Sequence, residues 1–548
     1  MELNMVCAPL RGLCAHRGGC DSSTRGRPSA HRRTSRVLRR TRRMIDWRKK
    51  NPDCRRAMFK VHCASRRCER RVPYAADRPY EPRDTRVKPA PLTCPDTPPF
   101  TRQSTPGRAR APVSRICNNT SMSTRPLPDA SAPTGDSAAA DGVRIQRIRE
   151  QFPAINSTQT ALLDNAGGSQ APRAVADAIR DYMLNTYVQL GADYDVSVQS
   201  TQTVQRAHDF VRLLMNGDGI GEVALGASSS SLLRTLGDCY ADALPAGSRI
   251  IVAEWGHESN IGPWVRHDGK AFEVVWWRVS RETGMPRLEE LRELVKVGAA
   301  VVAFPHASNL FGDLFDVAAA TKIAHGAGAR VVVDGVAFAP HRAIDVRALD
   351  VDWYVYSTYK VYGPHMGAMF GKKEAFAEIT GPNHFFIPRE AASYKFELGG
   401  VSHEGCAGLL GLWRHLCFLA GEDAAGPWRR QTIELAFERM QEIEAPLQAR
   451  LIEYLSSRND VRIIGPASAD PAERVSTISF VHKAKPSREI AQGANRAGHG
   501  IRFGHFYAWR LCEALGLQPE DGVVRVSLVH YNTMDEVERL IGFLDSAL

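Results

Sequence analysis

Residues 146–548 read as an α/β protein: a large domain at 146–385 with a mostly parallel sheet flanked by helices, then a smaller α+β C-terminal domain at 386–548. Three observations predict this. Short apolar runs alternate with amphipathic stretches from about residue 145, the rhythm of βαβ units. The runs are continuously apolar, as strands covered on both faces must be. After Gly371 the rhythm breaks, and 409–455 reads as long helices.

The elements follow in order. "EVALGA" reads as a strand and "SSSLLRTLGDCYADAL" as the helix after it. "RIIVAEW" and "AFEVVWW" are strands, and "LEELRELVKVG" is a helix. "AAVVAFPH", "VAAATKIAHGAG", "ARVVVDGV" and "VDWYVYS" then complete two further strand–helix–strand steps. The tail returns to β-branched runs in "RVSTISFVH", "GIRFGH" and "VVRVSLVHYN", with helices between them. No internal repeat is present.

Charge divides the chain. Residues 1–121 hold 29 Lys+Arg against 9 Asp+Glu. Of the whole chain's 71 and 60, that leaves 42 and 51 for 122–548, a balance of −9. A mildly acidic body gives no support to nucleic-acid binding there, which stays open for the basic extension alone. The extension lacks a hydrophobic period, and runs such as "HRRTSRVLRRTRRM" predict disorder. It reads as a nucleic-acid arm, as an organellar leader, or as sequence preceding a natural start at Met122, which opens a polar leader at 122–145. Its Cys54, Cys63 and Cys68 do not have zinc-site spacing, and no metal site is expected. The body keeps only Cys239, Cys406, Cys417 and Cys512. That usage, with no signal-peptide core and no apolar run of about 18 residues, predicts a cytoplasmic protein with no membrane span.

In open parallel sheets ligands sit beyond the carboxyl ends of the strands. The residues there are Gly226 to Ser231, His257 to Asn260, Ser308-Asn309, Asp334-Gly335 and Ser357 to Lys360. Each has an ordinary explanation by itself. The serines cap a helix, His257 fills a loop, Asp334 closes a turn, and Lys360 snorkels. Together they are a phosphate-sized helix start, an imidazole, an amide, a carboxylate and an amine on one rim. An amine can form a Schiff base with an aldehyde cofactor. A carboxylate can keep a pyridine nitrogen protonated, and a helix N-terminus can hold a phosphate. This set describes a pyridoxal 5′-phosphate site.

Five ordered motifs carry a family resemblance over about residues 160–548. They are "EWGHESNIGPW", "HASNLFG", "VVVDGVAFAPH", "YSTYKVYGP" and "VVRVSLVHYNTMDEVERL". The sequence resembles the class V aminotransferases, and within them the cysteine desulfurases. The resemblance implies a fold-type-I enzyme with a seven-stranded-type sheet and pyridoxal 5′-phosphate as cofactor. It implies that Lys360 carries the internal aldimine, that His257 stacks on the ring and helps move protons, and that Asp334 pairs with the pyridine nitrogen. Ser228 and Ser357, with the N–H groups of Ala227 and Ser228, would hold the phosphate, and Tyr359 would lie beside the ring. Asn309, Arg502 and Arg525 would bind the substrate carboxylate, which a guanidinium fork fits. A homodimer is also implied, with "GPNHFFIPREAASYKFELGG" as an interface loop.

The departures bear on the reaction. Desulfurases of this type have an Arg-x-Gly-His-x-Cys loop whose thiolate takes sulfur from cysteine. Here "IRFGHFYAWRL" keeps Arg502, Gly504 and His505 but has Tyr507 at the cysteine position. Neither Cys512 nor Cys406 fits that loop. Ala337 and Tyr359 replace the usual Gln and His near the cofactor. "YKxxGPHMG" and "ELGGVSHEG" patterns resemble a cysteine desulfurase-like branch. The expectation is an enzyme acting on a small-molecule α-amino acid by C–S lyase or epimerase chemistry. Desulfuration through a non-standard cysteine, and transamination, are the alternatives. A catalytically silent regulatory protein of the same fold is the reading from a different class.

Overall fold

A computed structural model describes residues 135–548. The expectations for residues 1–121, and for most of the 122–145 leader, lie outside the described residues. A helix at Gly135–Glu150 (α1) takes in the last part of that leader.

The larger sheet has seven strands: β2 (Gly221–Gly226), β3 (Ser248–Ala253), β4 (Phe272–Trp277), β5 (Val301–Pro305), β6 (Arg330–Asp334), β7 (Trp353–Ser357) and β8 (Gly367–Lys372). Their order is β2-β8-β7-β6-β5-β3-β4. All neighbours pair in parallel except β8, which runs antiparallel to β2 and β7. Alternate residues feed two separate cores. Leu225, Ile251, Val333, Tyr354 and Tyr356 enter one, while Ala224, Ile250, Val332, Trp353 and Val355 enter the other. That double burial is why these strands read as unbroken apolar runs.

The smaller sheet is antiparallel, in the order β12 (Arg502–Gly504), β13 (Val523–Ser527), β10 (Thr477–His482), β9 (Val461–Ile464). Beside it, β1 (Ala161–Leu162) pairs in parallel with β11 (His499–Gly500). A third core of Leu451, Leu455, Ile478, Phe480, Val524, Val526, Leu540 and Leu544 lies under this sheet. The helical stretch expected at 409–455 is two helices, α2 (His403–Ala420) and α3 (Arg430–Ser457). Gly421 ends α2 in the left-handed conformation, at φ 75°, where glycine has no Cβ penalty.

Among the described residues no helix is long and apolar enough to cross a membrane, and no cluster of His, Cys, Asp and Glu could hold a metal ion.

Candidate active site

The carboxyl ends of β2, β3, β5, β6 and β7 meet at one pocket, lined in part by Ser229, His257, Asn309, Asp334, Ser357 and Lys360. Its neighbour is a cleft of about 410 Å³ that shares His257, Asn309, Tyr359 and Lys360 and adds Arg502, the 503–507 turn and Arg525. Residues contributed by both sheets therefore face one cavity system, and Lys360 belongs to both parts.

Lys360 follows β7 on a single turn of 3-10 helix, Thr358–Lys360. Thr358 anchors that turn by donating its backbone N–H to the Met366 carbonyl (3.0 Å), and Ser169 Oγ donates to the Lys360 carbonyl (2.8 Å). Burial brings the amine down to about 8, helped by the Arg525 charge and opposed by Asp334 and Asp164. Near physiological pH a minority of the amine is then neutral and nucleophilic, far more than for a solvent-exposed lysine.

Asp334 ends β6, the strand beside β7. It is almost wholly buried, and burial pushes its carboxyl up to about 6, against the Val336 N–H (3.0 Å) and the Lys360 charge. A buried acid with one hydrogen bond favours a cationic partner across the pocket. His257 caps the turn after β3, and its Nδ1 accepts from the Ser259 N–H (3.1 Å). That contact puts the ring proton on Nε2. Burial first, then the Lys360 and Arg525 charges, hold this imidazole down to about 3, so it is neutral.

The serines that line the pocket lie one residue beyond the pair expected to hold a phosphate. The helix α4 (Ser229–Ala243) begins here, with Ser228 as its N-cap. The Ser228 hydroxyl is committed to the Ser231 N–H in a capping box, and neither it nor Ala227 lines the pocket. Ser229 and Ser230 do. The Ser229 and Ser357 hydroxyls lie 2.7 Å apart, joining the helix start to β7. Gly367 on β8 allows this approach, because a Cβ there would sit 2.3 Å from Ser228 and Ser229 backbone atoms. Tyr359 stacks on His365, with ring centroids 4.4 Å apart.

Arg525, on β13, is 2% exposed. Its Nη2 donates to Asp164 Oδ1 (3.1 Å) and its Nη1 to the Asn309 carbonyl (3.3 Å). Phe506 lies beneath, its ring centre 3.7 Å from the guanidinium carbon. Arg502 is the register partner of Arg525 across β12 and β13 and reaches Asp164 Oδ2 at 2.6 Å. Asn309 Nδ2 donates to the Phe506 carbonyl (2.7 Å). Arg525 Nε and Asn309 Oδ1 are buried and have no partner. Orphaned polar atoms at the mouth of a pocket are what a polar ligand would satisfy. The donor set therefore fits a phosphorylated pyridine aldehyde and an α-carboxylate.

Sequence reasoning did not single out Asp164 or Phe506, and took Ser229 only as part of the Gly226 to Ser231 helix start. The only signals were "LDNAGG", which has no strand-end position in the larger sheet, and a serine run too uniform to tell its members apart. Tyr507 takes the place of the expected thiol, its ring centroid 5.0 Å from that of His257. Cys512 is fully buried in the next helix, Trp509–Ala514, with its thiol pushed up to about 11 by burial. Cys239, Cys406 and Cys417 are buried too. No thiol lines the pocket or the cleft among the described residues.

Residues 161–401 and 429–540 match the profile of the Aminotransferase class-V family. The chain belongs to the class V aminotransferases. It is thus an enzyme of a pyridoxal-phosphate-dependent family. This class V chain is 38% identical to the aminotransferase-like protein FGM3 of Gibberella zeae, over 74% of its own length and 98% of that protein. It is 27% identical to the cysteine desulfurase-like protein ustD of Aspergillus flavus, over 74% and 90%. Its fold resembles an apo cysteine desulfurase from Thermococcus onnurineus, at TM-score 0.63 and 23% identity over 73% of this chain and 97% of that one. The cysteine desulfurase CsdA of Escherichia coli gives TM-score 0.61 at 24% identity, over 74% and 98%.

Buried titrating groups set an expected pH dependence. His257, His306 and His415 are each held down to about 3 by burial, and His530 lies well below its usual value. Asp313 and Asp334 are pushed up to about 6. As pH falls below ~6.5, the unfolded chain protonates its imidazoles while the folded chain does not, so stability is lost. The two raised carboxyls oppose this, because the folded chain takes up their protons first. For these six groups the balance near pH 5 is about two protons, or about 3 kcal/mol of stability lost per pH unit. Urea denaturation from pH 7 to 5 should show a sharply falling midpoint.

Proposed function

We propose that this class V enzyme binds pyridoxal 5′-phosphate at Lys360 and acts on a small α-amino acid, by β-elimination of sulfur or by epimerisation rather than by sulfur relay. The observation that carries this is the convergence of Lys360, Asp334, His257 and Arg525 on one cavity system whose described lining has no thiol. When bound, the cofactor supplies an aldehyde for the lysine and an electron-withdrawing pyridinium ring. Asp334 would pair with the ring nitrogen, and His257 would cover a ring face. The phosphate would lie at the N-terminus of α4, on Ser229, Ser230 and Ser357.

The chain's own groups then do the following. Arg525 offers its unpaired Nε to the substrate carboxylate and fixes the orientation of Cα. Lys360 Nζ, near the operating pH, is suited to take the Cα proton and to return it. Epimerisation needs a second proton on the opposite face of Cα, which water in the open cleft would supply as Lys360 keeps the one it removed. β-Elimination expels the Cβ sulfur as thiolate with its bonding electrons. His257, neutral and protonated on Nε2, can donate a hydrogen bond into the pocket. Phe506 and Tyr507 line the cleft beside Arg525 and His257. A phenol at Tyr507 cannot form a persulfide.

The same reading has the enzyme acting as a homodimer in the cytoplasm. Exposed Phe385 and Phe386, at 96% and 69%, favour a protein interface in the 381–400 loop, as large exposed aromatics do.

Exchange at Cα tests the reaction. Cofactor-loaded enzyme given L-cysteine in D2O should return cysteine deuterated at Cα, with pyruvate and sulfide if elimination follows. No exchange with cysteine or any other amino acid tried would overturn the reading. Cys512→Ser should leave the rate of sulfide release within about twofold of wild type, as expected for a buried thiol with a raised pKa. Sulfide lost in that variant alone would point to desulfuration through Cys512.

A further inference from the structure

We infer that Asp164 is a resident counter-ion of the substrate carboxylate site. It partly neutralises Arg525 and Arg502 in the ligand-free site and so competes electrostatically with an incoming monocarboxylate. The inference rests on the carboxylate-binding role given to Arg525 above.

Arg502 and Arg525 face each other on adjacent antiparallel strands, an arrangement in which like charges repel. Asp164 stands between them, one carboxylate oxygen on each guanidinium. It supplies the counter-charge for an arginine that is 2% exposed, and a buried cation without one is strongly destabilising. Within this triad two cations and one anion leave a single positive charge beside the cleft that Lys360 and Glu520 also line.

The geometry keeps room for that ligand. Asp164 engages only Nη2 of Arg525, and Asn309 only Nη1, so Nε stays buried and free. Phe506 stacks on the guanidinium and holds its plane. The backbone fixes Asp164 in turn: it bridges to Ser527 at the end of the strand that carries Arg525, and Ser527 N–H donates to the Leu163 carbonyl (2.7 Å). Gly167 gives the carboxylate its space, since a Cβ there would lie 2.8 Å from Asp164 Oδ2 and 3.0 Å from Arg502 Nη2.

A resident anion has two opposed effects. It stabilises the ligand-free site, and it weakens binding of a second anion nearby. Removing it should therefore lower stability and raise carboxylate affinity together, a combination that a purely structural residue does not produce. The test uses the full-length, cofactor-loaded protein and propionate, a carboxylate with no amine to react with the cofactor. Thermal-shift titrations on Asp164→Asn should give a lower melting point without propionate and a Kd for propionate tighter by on the order of tenfold. Asp164→Glu should restore both values toward wild type. Should Asp164→Asn fail to fold, Gly167→Ala crowds the carboxylate off Arg502, and it should tighten Kd by a smaller factor. A Kd unchanged or weakened in whichever variant folds overturns the counter-ion role while leaving the proposed function intact. A wild-type protein that binds neither propionate nor any amino acid overturns that function and this inference with it.

Discussion

Lys360→Ala should abolish covalent retention of the cofactor and lower turnover of any amino acid by about a thousandfold or more, the size of loss that follows removal of a proton-transfer group. Among the described residues, Lys360 is the only lysine lining the pocket and the cleft. Its amine has been brought to about 8 by burial and the Arg525 charge, so no described neighbour can substitute. The fold should survive, because the turn carrying it is held by Thr358 and Ser169 through backbone groups and not through Nζ. The measurement is direct. Wild type incubated with pyridoxal 5′-phosphate, reduced with borohydride and digested should give one modified peptide, at Lys360. The variant should give none and should keep the wild-type far-UV circular dichroism. A peptide modified at another lysine in the wild type would defeat the assignment.

Asp334→Asn should fall next, with turnover down by about 100- to 1000-fold, the usual loss when a preorganised electrostatic partner is removed from a dry site. The amide preserves shape and the Val336 hydrogen bond but cannot stabilise a protonated ring nitrogen. The substitution also removes a carboxyl that burial has raised to about 6. A raised carboxyl costs stability above its folded pKa, so the variant should be as stable as wild type at pH 7, or more so. Loss of activity with gain of stability separates an electrostatic role from a structural one. A full-rate variant would remove Asp334 from the mechanism.

Much of the site was legible because its groups lie at strand ends. Tyr354 and Val355 show why. They belong to a strand buried on both faces, so the run is apolar throughout and its end is conspicuous, and Lys360 follows within five residues. Asp334 and His257 were found by the same rule, and all three line the pocket. The Tyr507 substitution was likewise readable, since the flanking Arg502, Gly504 and His505 set the frame. What the rule could not resolve was rotation about a helix start. Ser228 and Ser229 differ only in which one occupies the N-cap, and that is decided by where β2 stops and how closely Gly367 lets the helix approach β8.

The amino-acid sequence by itself determined the sheet, its two-sided burial, the kind of chemistry on the rim and the lack of a thiol at position 507. Those follow from patterns a few residues long, governed by strand period and burial. Only the tertiary structure decided that Asp164 sits between Arg502 and Arg525, that Phe506 covers the guanidinium, and that Arg525 Nε is left without a partner. Asp164 lies more than 300 residues from either arginine, and even the Phe506 contact depends on how a turn folds back over the neighbouring strand, so none of this leaves a periodic trace in the chain.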